Sequence, residues 1–167
     1  LQTSKTIEKK SRIIKDTFGI IKAKSNIGLF FYDKGLLDSS FYYVTEAERL
    51  SKKTKIKPFL GSILLLKADI FLCEKNYTEG ETTAIQALKI AIKKKYNDDI
   101  YHCYITIGNS LVGMNNEVKA LEYYKKAIAA VDKIEKDKQG NLKISAIHYI
   151  AKIYQKQNQH QKAISIL

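Results

Sequence analysis

Four small residues set the frame of this 167-residue chain: Gly28, Ala68, Gly108 and Ala151, spaced 40, 40 and 43 residues apart. Each belongs to the same local pattern, clearest in the third copy, where Tyr104, Ile107, Gly108 and Leu111 precede Ala120, Tyr124 and Ala127. Residues three and four apart share one face of a helix, so each copy reads as two helices joined by a turn. The small residue lets the two helices approach closely. A large one three positions on fills the groove between them, and an alanine nine further packs the second helix against the first. Such a unit buries its apolar face only by stacking on its neighbours, which makes the expected fold an all-α helical solenoid.

These offsets resemble the tetratricopeptide repeat (TPR), whose consensus runs W-x2-L-G-x2-Y, then A-x3-F, then P. The fourth copy agrees through Ile147, Ile150, Ala151, Tyr154 and Ala163, with Leu167 at the next core position. The second keeps Leu64, Ala68, Phe71, Ala84 and Ala87 but has Gly80 where alanine is expected; the first keeps Ile27, Gly28, Phe31, Ser40, Val44 and Ala47. The departures are a complete lack of tryptophan, no proline at the repeat end, and a period of about 40 rather than 34, which adds roughly a turn to each helix. Long repeats of this kind occur in TPR regions of bacterial peptide-sensing regulators, of kinesin light chains and of membrane-linked sensor regulators. The resemblance implies a right-handed superhelical solenoid. Its parts are an N-terminal helix over 1–16, repeats over 17–57, 58–97 and 98–140, and an incomplete fourth repeat over 141–167.

Turn-forming residues mark where the helices should break: Lys34 with Gly35, Lys57 with Pro58, Asn76, Asn97 with Asp98, Asn115 with Asn116, Gly140 with Asn141, and Asn158. First helices are therefore predicted over 17–33, 58–74, 98–113 and 142–157, with partners over 37–55, 77–95, 116–136 and from 159 onward. Pro58 suits a first helical turn, and Asn97 or Asp98 and Asn141 suit N-caps. Ser4 to Ile14 forms one more amphipathic helix, either the end of a preceding repeat or a cap.

The longest apolar stretch, Ile63 to Leu66, is stopped by Lys67, far short of a membrane span. The chain starts at Leu1 and stops within a second helix, as expected for a piece of a larger bacterial regulatory protein whose signalling output lies elsewhere. Cys73 and Cys103 fall at the thirteenth and third positions of successive first helices, roughly 15 Å apart along the stack, beyond disulfide reach. Two free thiols point to a reducing, cytoplasmic compartment without fixing it. Enzyme signatures are absent. The segment Gly108 to Gly113 reads G-x-S-x-x-G, one residue too long for a nucleophile elbow and placed inside a helix. No catalytic residue, cofactor or metal site is expected.

In TPR proteins, positions 2, 5, 9, 12 and 13 of each first helix line a concave groove. Carried over, these positions give Lys22, Tyr32, Asp69, His102, Asn109, His148 and Lys152 as the expected binding residues. Asp69, Asn109 and Lys152 share the ninth position and should stand in a row about 10 Å apart, with the Asn109 amide free to hold a peptide backbone. Such a surface suits a protein or extended peptide. The carboxylate clamp of chaperone-tail receptors is not matched, since Ile105 stands beside Asn109 and Tyr149 occupies the next sixth position. His102 and His148 fall at positions that face each other across the groove, with no carboxylate or thiolate to complete a metal site.

The net charge of +12 gathers at Lys52, Lys53, Lys55 and Lys57, at Lys93 to Lys95, and at Lys133, Lys136, Lys138 and Lys143. Each cluster is read as ending a second helix, where cations complement the helix dipole. Only Arg12 and Arg49 occur, which argues against nucleic acid as the partner. Two other readings stay open. One is a self-associating scaffold that pairs through open repeat ends at Ile147, Ile150, Ile164 and Leu167. The other is a TPR regulator of a hydrolase or phosphatase.

Overall fold

The computed structural model describes residues 1–13, 16–54 and 59–166. Among them there are nine helices and no strand: α1 Gln2–Ile13, α2 Thr17–Asp33, α3 Leu37–Lys53, α4 Leu60–Cys73, α5 Tyr77–Lys94, α6 Asn97–Gly113, α7 Glu117–Val131, α8 Lys136–Lys156 and α9 His160–Ile166. The chain is all-α. Every helix packs on the next, and first helices also touch across units, α2 on α4 and α4 on α6. This is a helical, repeat-like architecture. No described helix is long and apolar enough to cross a membrane. The expectations for Ile14, Lys55, Lys57, Pro58 and Leu167 lie outside the described residues.

The turns inside the hairpins are copies of one another. Gly35, Lys75, Asn115 and Asn158 all take positive φ, between 58° and 70°, at spacings that repeat those of the small residues. In each, the next residue's N–H returns to a carbonyl five residues back: Leu36 to Phe31, Asn76 to Phe71, Asn116 to Leu111 and Gln159 to Tyr154. That bond closes the preceding helix in a Schellman arrangement. Glycine enters this conformation freely and asparagine at small cost; lysine at 75 does so at a strain of about 1 kcal/mol.

Packing follows the small residues. Gly28 lies so close to Val44 that an added Cβ would stand 2.6 Å from its Cγ2, and Ser40 Oγ donates to the Gly28 carbonyl at 2.8 Å. At Gly108 a Cβ would stand 2.4 Å from the ring of Tyr124, which is almost fully buried. Ser40, Gly80, Ala120 and Ala163, twelve residues beyond each small residue, are all buried. One core runs through α6, α7 and α8 around Ile107, Tyr124, Val131 and Ile150. Another joins α2, α3 and α4 through Ile21, Val44, Ile63 and Ile70.

Helix α1 meets α2 much as α3 meets α4. Glu8 and Ser11 precede Glu48 and Ser51 by 40 residues. Lys24 of α2 pairs with Glu8 at 3.4 Å, and Lys67 of α4 pairs with Glu48 at 2.7 Å. So α1 takes the place of a second helix.

Two expectations are corrected at the α7–α8 junction. Gly140 and Asn141 do not break the chain; both lie inside α8, which starts at Lys136 after a turn through Asp132 to Glu135. The helix predicted over 116–136 stops at Val131. Asn141 is therefore no N-cap. Asn97 and Asp98 do not cap α6 either: its N-cap is Tyr96, without a side-chain bond, while the Asn97 amide donates to the Lys133 carbonyl at 2.8 Å. Capping side chains are Asp16, which accepts from the Gly19 N–H at 3.0 Å, and Asn116, which accepts from Lys119 at 3.4 Å.

The third lysine cluster consequently begins a helix instead of ending one. Lys136 and Lys138 sit in the first turn of α8, where the dipole disfavours cations. Nearby carboxylates compensate: Lys138 pairs with Glu135 at 2.8 Å and Lys143 with Asp132 at 2.7 Å. Lys52, Lys53, Lys93 and Lys94 do lie in last turns, as expected.

Candidate functional site

The first helices bring the expected residues into two groups. The first lies where α2, α4 and α6 meet. Asp69 accepts a hydrogen bond from Thr106 Oγ1 at 2.8 Å, and the Cys73 thiol reaches Tyr32 Oη at 3.7 Å. Burial pushes the Asp69 carboxyl up to about 6, and the Thr106 bond offsets only part of that. Burial also raises Tyr32, and the nearby Asp69 charge adds to it. This is a half-buried polar cluster with the exposed Cys73 at its edge, in which Asp69 spends an acceptor on α6.

The second group lines a cleft between α6 and α8, a pair that packs less closely than α4 and α6. Asn109, Lys152 and Lys156 share a recess of about 270 Å³ with Tyr124, Tyr149 and Glu117. His148 and Lys152 line a neighbouring recess of about 350 Å³ formed by α8 alone, with Ile144, Ile147 and Tyr149. The floor of the cleft is aromatic: Tyr124 and Tyr149 stack with centroids 5.3 Å apart and planes 17° from parallel. Its far wall is stapled, because Glu117 receives both Lys156 Nζ at 2.7 Å and Gln157 Nε2 at 2.8 Å. Those bonds hold the Glu117 carboxyl below the usual range.

Asn109 is not the free amide the sequence suggests. Its Oδ1 accepts from the Tyr124 hydroxyl at 2.7 Å, which leaves the Nδ2 donors for a ligand. His102 lies apart from His148, in a recess of about 350 Å³ lined by Asp98, Asp137, Lys138, Asn141 and Leu142. Burial lowers the His102 pKa, opposed by Asp98 and Asp99. The two histidines line separate recesses, and no group of three or more His, Cys, Asp or Glu able to hold a metal occurs among the described residues. Lys22 is exposed on α2, away from the cleft.

Both cysteines are free. Cys103 is buried, and that burial pushes its thiol up to about 12, so it is inert as a nucleophile. Of the residues expected to form an open apolar end, Ile164 is 68 % exposed and Ile147 half-buried. Ile150 is fully buried beneath the α7–α8 contact, a correction.

Sequence reasoning missed Thr106, Tyr149, Glu117 and Gln157. Each acts through a partner 15 or more residues away, and no local spacing announces such a bond.

No family model matches the chain, and no curated protein matches it. Among solved structures, the chain is similar in fold to the crystal structure of BtubC (BKLC) from P. vanneervenii, at 13% identity and a TM-score of 0.78 over 99% of this chain and 69% of that one.

Proposed function

We propose that this chain is a TPR-like, right-handed superhelical module that binds an extended protein or peptide segment without catalysing a reaction on it, as the sensor or scaffold part of a regulatory protein. The α6–α8 cleft carries the reading. It combines apolar area at Tyr149 and Val112, a free amide donor at Asn109 and one cation, Lys152, that is not ion-paired among the described residues, while Lys156 is held by Glu117. That mixture fits a peptide backbone flanked by an acidic side chain. The 40-residue register and the hairpins that repeat one turn geometry support the TPR-like reading.

The test is selection of a displayed random 12-residue library on the immobilised chain, followed by calorimetry with the enriched peptides. Lys152→Glu should weaken them by about tenfold or more and Asn109→Ala by about fivefold or more, since each removes a partner from a shared recess. Replacing Lys93, Lys94 and Lys95 with Gln should alter mainly the salt dependence. Peptides that ignore the first two variants but are lost with the triple one would move the site to the basic edge.

A further inference from the structure

A different cavity opens on the opposite side of α6, away from the cleft. It holds about 630 Å³ between the end of α5, the first half of α6 and the last turns of α7. That volume is within the range of small-molecule pockets. Half-buried Ile100, Tyr104 and Ala130 give it an apolar base, exposed Ile92 and Ala129 widen that surface, and Asn97, Lys95, Lys126 and Lys133 stand around the rim.

The repeat register explains why the cavity exists. One period earlier, the place of Ala130 is taken by Ile90, whose Cγ2 would come 3.3 Å from a Cβ at Gly61 and which packs on the Leu60 and Leu64 cluster. Ala129 likewise stands where the preceding unit has Lys89. Ala130 thus lacks the side chain with which Ile90 packs into the neighbouring unit.

Its charge is also uncompensated. None of Lys95, Lys126 and Lys133 is ion-paired among the described residues, and no carboxylate lines the cavity. The two acids in the first turn of α6 face elsewhere, Asp98 toward Lys138 at 3.9 Å and Asp99 toward Ser62 at 3.2 Å. Lys126 lies 4.5 Å from the centroid of the Tyr123 ring, which positions its ammonium without neutralising it.

We infer that this cavity is a second binding site, separate from the α6–α8 cleft, for a compact amphipathic anion: a flat apolar body carrying a phosphate, sulfonate or carboxylate. The body lies on Tyr104 and the two alanines, and the anionic group meets the lysine rim. Its short span between α5, α6 and α7 suits a small molecule better than an extended polypeptide chain.

The probes are 1-naphthyl phosphate and its uncharged counterpart 1-naphthol, titrated into the whole chain by calorimetry, with amide chemical shifts to locate the contact. Naphthyl phosphate should bind and shift the resonances of Tyr104, Ala129 and Ala130. Ala130→Ile, which restores the filler of the preceding unit, should abolish binding of both probes while the helical circular dichroism is kept. Lys126→Gln with Lys133→Gln, two surface changes that spare the core, should weaken naphthyl phosphate about tenfold and leave naphthol unchanged. The inference fails if naphthyl phosphate does not bind, if it binds equally with the cavity filled, or if the lysine changes affect both probes alike. An acidic peptide such as Ac-Glu-Glu-Phe-Glu-Glu-amide shifting those resonances when naphthyl phosphate does not would overturn it in favour of a polypeptide surface.

Discussion

Hairpins α4–α5 and α6–α7 share a period, a turn and a packing order, yet they solve the same contact in opposite ways. In the first, Ala68 faces a unit whose equivalent core residue is Ala84, and both are fully buried. In the second, the small residue shrinks to Gly108 and the equivalent residue grows to Tyr124. The first hairpin, with Gly28 against Val44, lies between. The small residue thus shrinks where its partner grows, although the sum is not held constant, because a glycine facing a tyrosine fills more space than two alanines. The exchange has a functional side as well. Only the tyrosine has a hydroxyl, and that hydroxyl binds Asn109 while the ring stacks on Tyr149, so the bulky solution builds the cleft and the small one does not.

The largest way to break this comparison is Tyr124→Ala. It removes a buried ring from a core that cannot close over Gly108, and should cost about 3–5 kcal/mol by urea denaturation. Gly108→Ala drives a methyl into that ring and should cost about 1–3 kcal/mol. Making both changes recreates the Ala68 and Ala84 pairing at the third hairpin. The double variant should then lose less than the sum of the single losses, by more than about 0.5 kcal/mol. Strict additivity would mean that volume is not exchanged across this contact.

Asp69 sharpens the comparison through charge. The α4–α6 contact buries a carboxyl on Thr106 without a cation, whereas the α3–α4 contact gives Glu48 both Lys67 and Lys52. Burial pushes Glu48 up, but the hydrogen bonds from the two lysines outweigh it and hold the carboxyl below the usual range. Asp69, raised to about 6 from an ordinary value near 4, binds its proton more tightly folded than unfolded. Its contribution to stability is thus fully present below about pH 4 and lost as pH rises through about 6. Asp69→Asn keeps an oxygen for Thr106 and removes the charge, so it should stabilise the chain by about 1–2 kcal/mol at pH 7 and by almost nothing at pH 4. An equal gain at both pH values would locate the effect in packing instead.

Much of this architecture is legible in the sequence because the period is carried by residues that sterics leave little choice about. Gly28, Ala68, Gly108 and Ala151 can be read directly, and so can the turn at Gly35. The site is less legible. Ninth-position residues were expected to face an open groove, yet Asp69 and Asn109 each spend an oxygen on Thr106 and Tyr124, bonds fixed by the angle between helices and by nothing in either segment. The shared turn geometry at Lys75 was hidden for another reason. Lysine carries no preference for positive φ, and only the returning Asn76 N–H imposes it.

The smallest expected effect tests the place where composition misled most. Gly140 beside Asn141 has the chemistry of a turn, but the extra three residues between the third and fourth small residues go into an earlier start for α8, which carries Gly140 into its first turns. Gly140 is exposed there, and an added Cβ would meet nothing within 4 Å. Glycine in a helix costs backbone entropy that alanine does not. Gly140→Ala should therefore stabilise the chain by about 0.5–1 kcal/mol, the opposite sign to the same substitution at Gly108. Thermal unfolding of the two variants side by side reads the contrast directly. If Gly140→Ala destabilises, the start of α8 is not helical in solution, and the break belongs at Gly140 and Asn141 after all.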